Sequence, residues 1–334
     1  MAKKEKQECC EKFKTMIGGQ ALIEGIMMRG PEKDAVVVRT AEGLQVDVKP
    51  RKVYPEKSIA KWPFIRGCVT FFDSQVTGVK ALMQSADLSP EGFEEEEPSK
   101  LDLWLEKKLG NEKFQKFLVS FAVFMGLGLS ILLFFILPDL ITGFFHFKNE
   151  LIANLIQGLV RIAIFMGYML LVSRMNEMKR VFAYHGAEHK TIRCYEAGLE
   201  LTVENVRKQT RLHPRCGTSF LLVVMVISIL LFTVASTALL ELIPALEAMR
   251  ESARFLYKLI MILFKLALLP LVVSITYEIN RWAGRHDNWF TRILTAPGMW
   301  LQNFTTNEPD DSMIEVGITA VQAVLPEQEG ADRW

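Results

Sequence analysis

The sequence predicts a mainly α, polytopic membrane protein of about four transmembrane helices, with a small β-containing N-terminal module in the cytosol. Three observations predict it. Half of the 334 residues are hydrophobic and mean hydropathy is +0.19, too apolar for an ordinary soluble chain. Charged residues still make up 23%, too many for a wholly embedded chain, so charge and apolar surface must be segregated. Four stretches, 117–137, 151–173, 219–240 and 255–277, are each apolar and long enough to cross about 30 Å of hydrocarbon, which takes roughly 20 helical residues. A net charge of +1 gives no global basic field, so no nucleic-acid partner is expected.

In chain order, the opening MAKKEKQECCEKFK holds no apolar h-region, so no cleavable signal peptide is expected. From Met16 to Lys49 the text reads as short strands and turns: a strand-like run over 20–29, the turn Gly30-Pro31-Glu32-Lys33-Asp34, a β-branched run around Val36-Val37-Val38, the turn at Ala41-Glu42-Gly43, and a run over 44–48. A helix then starts near Pro63. Ile65, Val69, Phe72, Val76, Val79 and Met83 form its apolar stripe, and packing on the protein's own core is expected ahead of lipid binding. Residues 87–100, with Pro90, Gly92, four consecutive glutamates and Pro98, read as a solvated linker.

Basic residues set the expected orientation. The connection 174–217 carries nine (Arg174, Lys179, Arg180, Lys190, Arg193, Arg207, Lys208, Arg211, Arg215), whereas 138–150 and 241–254 together hold Lys148, Arg250 and Arg254. A multi-pass protein of the cell membrane with both termini cytosolic is the expectation. Cys9, Cys10, Cys68, Cys194 and Cys216 then lie on or near the reducing side, and a disulfide framework is not expected. The domain map is 1–86 for the β-meander and amphipathic helix, 87–116 for the acidic linker and juxtamembrane helix, 117–277 for the four-helix membrane domain, and 278–334 for a helical tail. In that tail Arg281, Arg285 and Arg292 interleave with Trp282, Trp289 and Trp300, suiting a headgroup zone. Asp310-Asp311-Ser312 offers an N-cap to a closing helix.

Chemistry concentrates in Tyr184-His185-Gly186-Ala187-Glu188-His189-Lys190. At about 100° per residue, His185, Glu188, His189 and Glu196 share one helix face, and Gly198 supplies a stop. Two histidines at i and i+4 reach one ion, and the adjoining glutamate can deprotonate water, the logic of zinc hydrolases. The order H-x-x-E-H matches the inverzincin pattern. A catalytic site needs a third protein ligand, and His213, Cys216, Glu196 and Glu278 are the candidates. The expected cofactor is a divalent metal, with zinc or iron suited to this donor set; His286-Asp287 reads as a surface pair.

The strings IGGQALIEGIMMRGP (17–31), PFIRG (63–67), YHGAEHKTI and CYE (184–196), HPRCGTSF (213–220), TYE (276–278) and TTNEPDDSMIEV (305–316) resemble the YqhQ-like family. That is a bacterial integral-membrane family of unknown function, labelled a metal-dependent enzyme. The resemblance covers nearly the whole chain and assigns no substrate. It implies Gln20, Glu24, Arg29, His185, Glu188, His189, Glu196, His213, Arg215, Cys216 and Glu278 as the characteristic polar positions.

Two cations, Arg161 and Lys265, fall mid-span, where a lipid-facing charge is expensive. No acid lies in the four expected spans, so both are expected to face the interior and meet water or an anion such as a lipid phosphate, or else backbone carbonyls; Lys258 is expected to snorkel. The leading functional expectation is a metal-dependent, hydrolase-like enzyme at the cytosolic membrane surface, with Glu188 as general base. Its competitor is a non-catalytic scaffold or assembly factor docking a cytosolic protein partner, such as translation or translocation machinery. Transport is disfavoured by the lack of visible inverted repeats. Gly126, Gly128 and Ser130 permit close helix contact in a homo-oligomer.

Overall fold

A computed structural model describes residues 12–55, 57–89, 111–145, 147, 150–328 and 330–333. Cys9, Cys10, His146, Lys148 and the expected linker from residue 90 onward lie outside the described residues. The chain forms two compact units, one drawn from Met1–Gly92, Met169–Ile227 and Pro270–Trp334, the other from Phe93–Tyr168 and Ser228–Leu269.

In the first unit, β1 (Gly18–Leu22), β2 (Gly25–Arg29), β3 (Lys33–Thr40) and β4 (Gly43–Pro50) form an antiparallel meander in sequence order. The run expected as one strand over 20–29 is thus two, because Leu22 pairs with Gly25 across a tight hairpin and Glu24 adopts φ +49°. That left-handed conformation is costly for a residue with a Cβ. Its carboxylate compensates by accepting from Arg180 Nε at 2.6 Å and Tyr184 Oη at 3.1 Å.

Period-two alternation lets the sheet bury both faces. Ile26, Met28, Ala35 and Val37 pack with Ala183, Tyr184, Ala187, Val316 and Ala320 on one side; Leu22, Met27, Val36 and Val38 meet Ala81 on the other. The helix bearing Ala81 is α1 (Ile65–Leu88). Its contact face is made of small residues: a Cβ at Gly78 would meet Gln20 Oε1 at 2.3 Å, and one at Gly67 would meet Tyr277 and Ser274. The apolar stripe expected to pack on the core therefore points away from it, with Phe72 61% and Val76 54% exposed.

The described helices continue with α2 (Asn111–Ile131), a π turn (Leu132–Ile136), α3 (Leu137–Gly143), α4 (Glu150–Val172), α5 (Asn176–Glu196), α6 (Val203–Arg207), α7 (Gly217–Leu242), α8 (Pro244–Ser252), α9 (Arg254–Ala267), α10 (Leu269–Arg285), α11 (Trp289–Thr305) and α12 (Asp311–Val324). Asp310 caps α12 by accepting from Met313 N–H, as the sequence predicts. The expected helical tail also contains α11, which an Asn288 capping box starts.

Among the described residues, four helical runs are long and apolar enough to cross a membrane: Ser120–Gly143, Leu151–Val172, Phe220–Leu242 and Arg254–Arg285. The first extends past its expected end and brings Asp139 into a span, which corrects the expectation that the spans hold no acid. Asp139 Oδ2 accepts from Lys258 Nζ at 2.6 Å, so Lys258 pairs rather than snorkels. Pro138 has no N–H to offer Phe134, four residues back. Arg161 Nε donates to that Phe134 carbonyl at 2.7 Å and lies over the rings of Phe135 and Phe232. Lys265 Nζ donates to Gln157 Oε1 at 2.8 Å.

Candidate metal centre

The first unit carries the site on α5 and on the segment that enters α7. Helix α5 lies between β1 and α12, and all but one of its residues from Phe182 to Ile192 are buried. Small residues make this closeness possible: a Cβ at Gly186 would stand 2.0 Å from Asn307 O, and one at Gly317 would stand 2.6 Å from Thr191 Oγ1. The stretch after α11 thus runs directly over the histidines.

His185 Nδ1 donates to Thr305 O at 2.8 Å, and His189 Nδ1 donates to Arg211 O at 2.6 Å. Carbonyls only accept, so both rings carry their proton on Nδ1 and, when neutral, offer the Nε2 lone pair, the usual arrangement around a metal-ligating histidine. The ligand atoms of His185, His189 and Cys216 lie within 4.8 Å of one another. His185 Nε2 and Cys216 Sγ are 3.2 Å apart, and His189 Nε2 is buried without a hydrogen bond.

Glu188 completes the cluster. Gly19 N–H donates to its Oε1 at 2.9 Å, while Oε2 is buried without a hydrogen bond and lies 3.9 Å from His185 Nε2. A Cβ at residue 19 would meet Met27 O at 2.7 Å and the Glu188 side chain at 3.1 Å, so glycine is what lets β1 reach the carboxylate. Burial raises the Glu188 pKa above the ordinary carboxylate value. Burial opposes charge on His185 and Cys216 as well. Their mutual attraction prevails, with the His185 imidazole pushed up to about 9 and the Cys216 thiol held well below its usual value, His189 and His185 lowering it.

The other expected ligands are placed elsewhere. Glu196, completely buried, accepts from Arg215, from Thr15 N–H at 2.9 Å and lies 3.2 Å from His213 Nε2. Gln302 clamps the His213 main chain, accepting from its N–H at 2.8 Å and donating to its carbonyl at 2.7 Å. Eleven residues separate His185 from Glu196 on α5, about 16 Å along a helix, so sharing a face does not bring them to one ion. Glu278 accepts from Arg66 Nε at 2.7 Å and from Phe64 N–H at 3.3 Å, at the start of α1. Arg29 binds Asp34, Asp73 and Ser74, and Gln20 lies against Gly78.

Sequence reasoning missed Gly19, Gln302 and the carbonyls of Thr305 and Arg211. The Gly18-Gly19 pair and the TTNEPDD string were their only traces in the text.

A family model described as a protein of unknown function, DUF1385, matches residues 62–327. The chain belongs to the DUF1385 family. It is also 33% identical over 317 residues, 92% of each chain, to "Uncharacterized protein YqhQ" of Bacillus subtilis (strain 168). No solved structure matches. The matched family region holds every histidine, cysteine and carboxylate of the cluster but not the sheet, so the Gly19 N–H reaches Glu188 from outside it.

Proposed function

We propose that this protein is a metal-dependent hydrolase working at the cytosolic membrane surface. One observation carries the reading: two imidazoles anchored through Nδ1 bring their Nε2 atoms and one cysteine sulfur within 4.8 Å of one another, beside a carboxylate oxygen that has no hydrogen-bond partner. Two histidines and one cysteine suit zinc and leave a coordination position open. A zinc ion held there supplies Lewis acidity and lowers the pKa of water.

The chain's own residues do the rest. Gly19 and burial fix Glu188 with Oε2 free, so that Oε2 takes the proton from the attacking water and returns it to the leaving group. Thr305 and Arg211 hold the imidazoles in the ligating tautomer and keep both rings from turning. The exposed apolar stripe of α1 and the nine basic residues of 174–217 support a location at the cytosolic face, where a lipid or a membrane-bound polypeptide is at hand. A cavity of about 810 Å³ borders Pro214 and Arg215, immediately before Cys216, and is lined by Lys12 and Lys14 together with the paired Arg292 and Asp287.

A scaffold would gain from pairing off its buried polar groups, and Glu188 Oε2 and His189 Nε2 are not paired. The 3.2 Å contact of His185 Nε2 with Cys216 Sγ favours a second reading, a metal-free Cys–His nucleophilic pair. Hydrolysis of phospholipid and peptide panels in nanodiscs tests both. The metal reading expects zinc-dependent turnover, lost about 100-fold in Glu188→Gln with zinc still bound. Turnover that survives zinc removal and dies on Cys216 alkylation selects the pair. Equal turnover by wild type and Glu188→Gln contradicts the assigned base.

A further inference from the structure

Helix α11 presents two unlike faces. On one, Gly298, Leu301, Gln302 and Thr305 are buried, and from this side the helix holds all three members of the histidine and cysteine cluster. Thr305 O accepts from His185 Nδ1 at 2.8 Å. Thr306, the residue after α11, accepts from Arg211 through its hydroxyl at 2.9 Å and through its carbonyl, and the Arg211 carbonyl in turn accepts from His189 Nδ1 at 2.6 Å. Gln302 Nε2 donates at 2.7 Å to the His213 carbonyl, which also accepts from the Cys216 N–H at 3.4 Å. At about 100° per residue, the opposite face gathers Trp289, Phe290, Ile293, Ala296, Trp300 and Phe304 in an arc of about 120°. No charged residue falls in that arc, and Trp289, Ile293 and Trp300 are each more than half exposed.

A contiguous aromatic face of this kind marks a contact surface, and the path of the chain favours lipid as what covers it. The fourth apolar run ends at Arg285, and Trp289 opens α11 four residues later, at most about 14 Å away even on fully extended backbone. The face therefore begins within reach of the headgroup layer, where tryptophan rings prefer to sit. Trp282, in the last turns of the run, packs its ring on Phe290 with centroids 6.0 Å apart, so the aromatic surface is continuous from the run to the helix. We propose that α11 lies on the lipid leaflet at this end of the run, its aromatic face at the boundary between headgroups and acyl chains, and that this contact holds Gln302, Thr305 and Thr306 over the cluster. Lipid then acts as a positioning partner, because losing the contact loosens the supports of His185, His189 and Cys216 together. The lipid contact does not depend on what the cluster binds, whereas its effect on metal rests on the zinc reading.

Tryptophan quenching of the full chain in nanodiscs tests the contact, with phosphatidylcholine brominated on its acyl chains as the lipid-side probe and acrylamide as the aqueous one. Subtracting the Trp300→Phe signal from that of wild type isolates Trp300, and this substitution at an exposed ring leaves the fold intact. The Trp300 signal is expected to fall about twofold in brominated nanodiscs, as for a ring at the acyl boundary, and to respond little to acrylamide. Quenching by acrylamide without quenching by bromine places the ring in water and overturns the proposal. A signal that neither probe reaches shows the face covered by protein and overturns it equally. Zinc titration in nanodiscs tests the link to the cluster: Ile293→Glu, which puts a charge into the exposed face, should bind zinc about tenfold more weakly than wild type, the usual effect of disturbing the groups that hold metal ligands, and Ile293→Leu should match wild type. Equal zinc affinity in wild type and Ile293→Glu overturns the link. A wild type that takes up no zinc yet shows the bromine quenching contradicts the metal reading and supports the lipid contact.

Discussion

Two clusters in the same unit use the same kinds of side chain to opposite ends. Around Glu196, every charge meets its complement: the carboxylate takes Arg215, His213 and the Thr15 N–H, and Gln302 fastens the His213 main chain on both sides. Around Glu188, one carboxylate oxygen is held, the other is left over, and the His189 Nε2 beside it is likewise unused. The first arrangement is closed on itself, whereas the second leaves buried polar atoms unpaired, which is what the proposed metal site would use. A histidine beside a glutamate thus says little by itself; what separates a brace from a binding site is whether the last lone pairs are spent.

Removing Glu196 should have the largest effect. Glu196→Ala leaves the Arg215 guanidinium buried without its carboxylate, and loss of one partner of a buried pair costs about 3–5 kcal/mol. Denaturant unfolding in detergent measures it. A cost below 1 kcal/mol would erase the distinction drawn between the clusters.

Acid sharpens the same contrast. Burial lowers the His213 pKa from 6.5 to about 4, so between those values the unfolded chain takes up a proton that the folded one refuses. Stability should therefore fall as pH drops from about 6.5 to about 4, by up to roughly 3 kcal/mol. The Glu196 carboxylate, lowered by His213 and Arg215 against the opposing effect of burial, adds a further loss as pH falls below the ordinary carboxylate range. His213→Asn should flatten the upper part of that slope.

Next in size is Gly186→Ala. Its new Cβ would lie 2.0 Å from Asn307 O, and relieving such overpacking costs about 1–3 kcal/mol. Because Thr305 is two residues from Asn307, the variant should also weaken zinc affinity, which unfolding with and without zinc would reveal. His189→Ala should be mildest in the metal-free protein, about 1 kcal/mol for its one hydrogen bond to Arg211 O, yet it should abolish the stabilisation that added zinc brings.

The histidine pair was legible because i and i+4 on a helix fixes a separation that nothing tertiary alters. The third member of the cluster was not legible. Cys216 and His213 are three residues apart, and only the path of 197–216 decides which of them faces His185. Glu196 misled through its angle on the helix, which ignores the rise of 1.5 Å per residue. The spans were legible from length and apolarity. The partner of Lys258 was not, because Asp139 sits one residue beyond a proline that a π turn absorbs. In α1, periodicity located the apolar stripe but not its surroundings. Gly67, Gly78 and Ala81 carry the packing there, since small residues admit the closest approach.

Metal analysis of detergent-purified protein tests the central claim most directly. Wild type and Glu196→Gln should carry about one zinc ion per chain, the closed cluster taking no part, and His185→Ala, His189→Ala and Cys216→Ser should each carry nearly none. Wild type without stoichiometric metal after zinc reconstitution, or metal content that survives all three substitutions, would contradict the account.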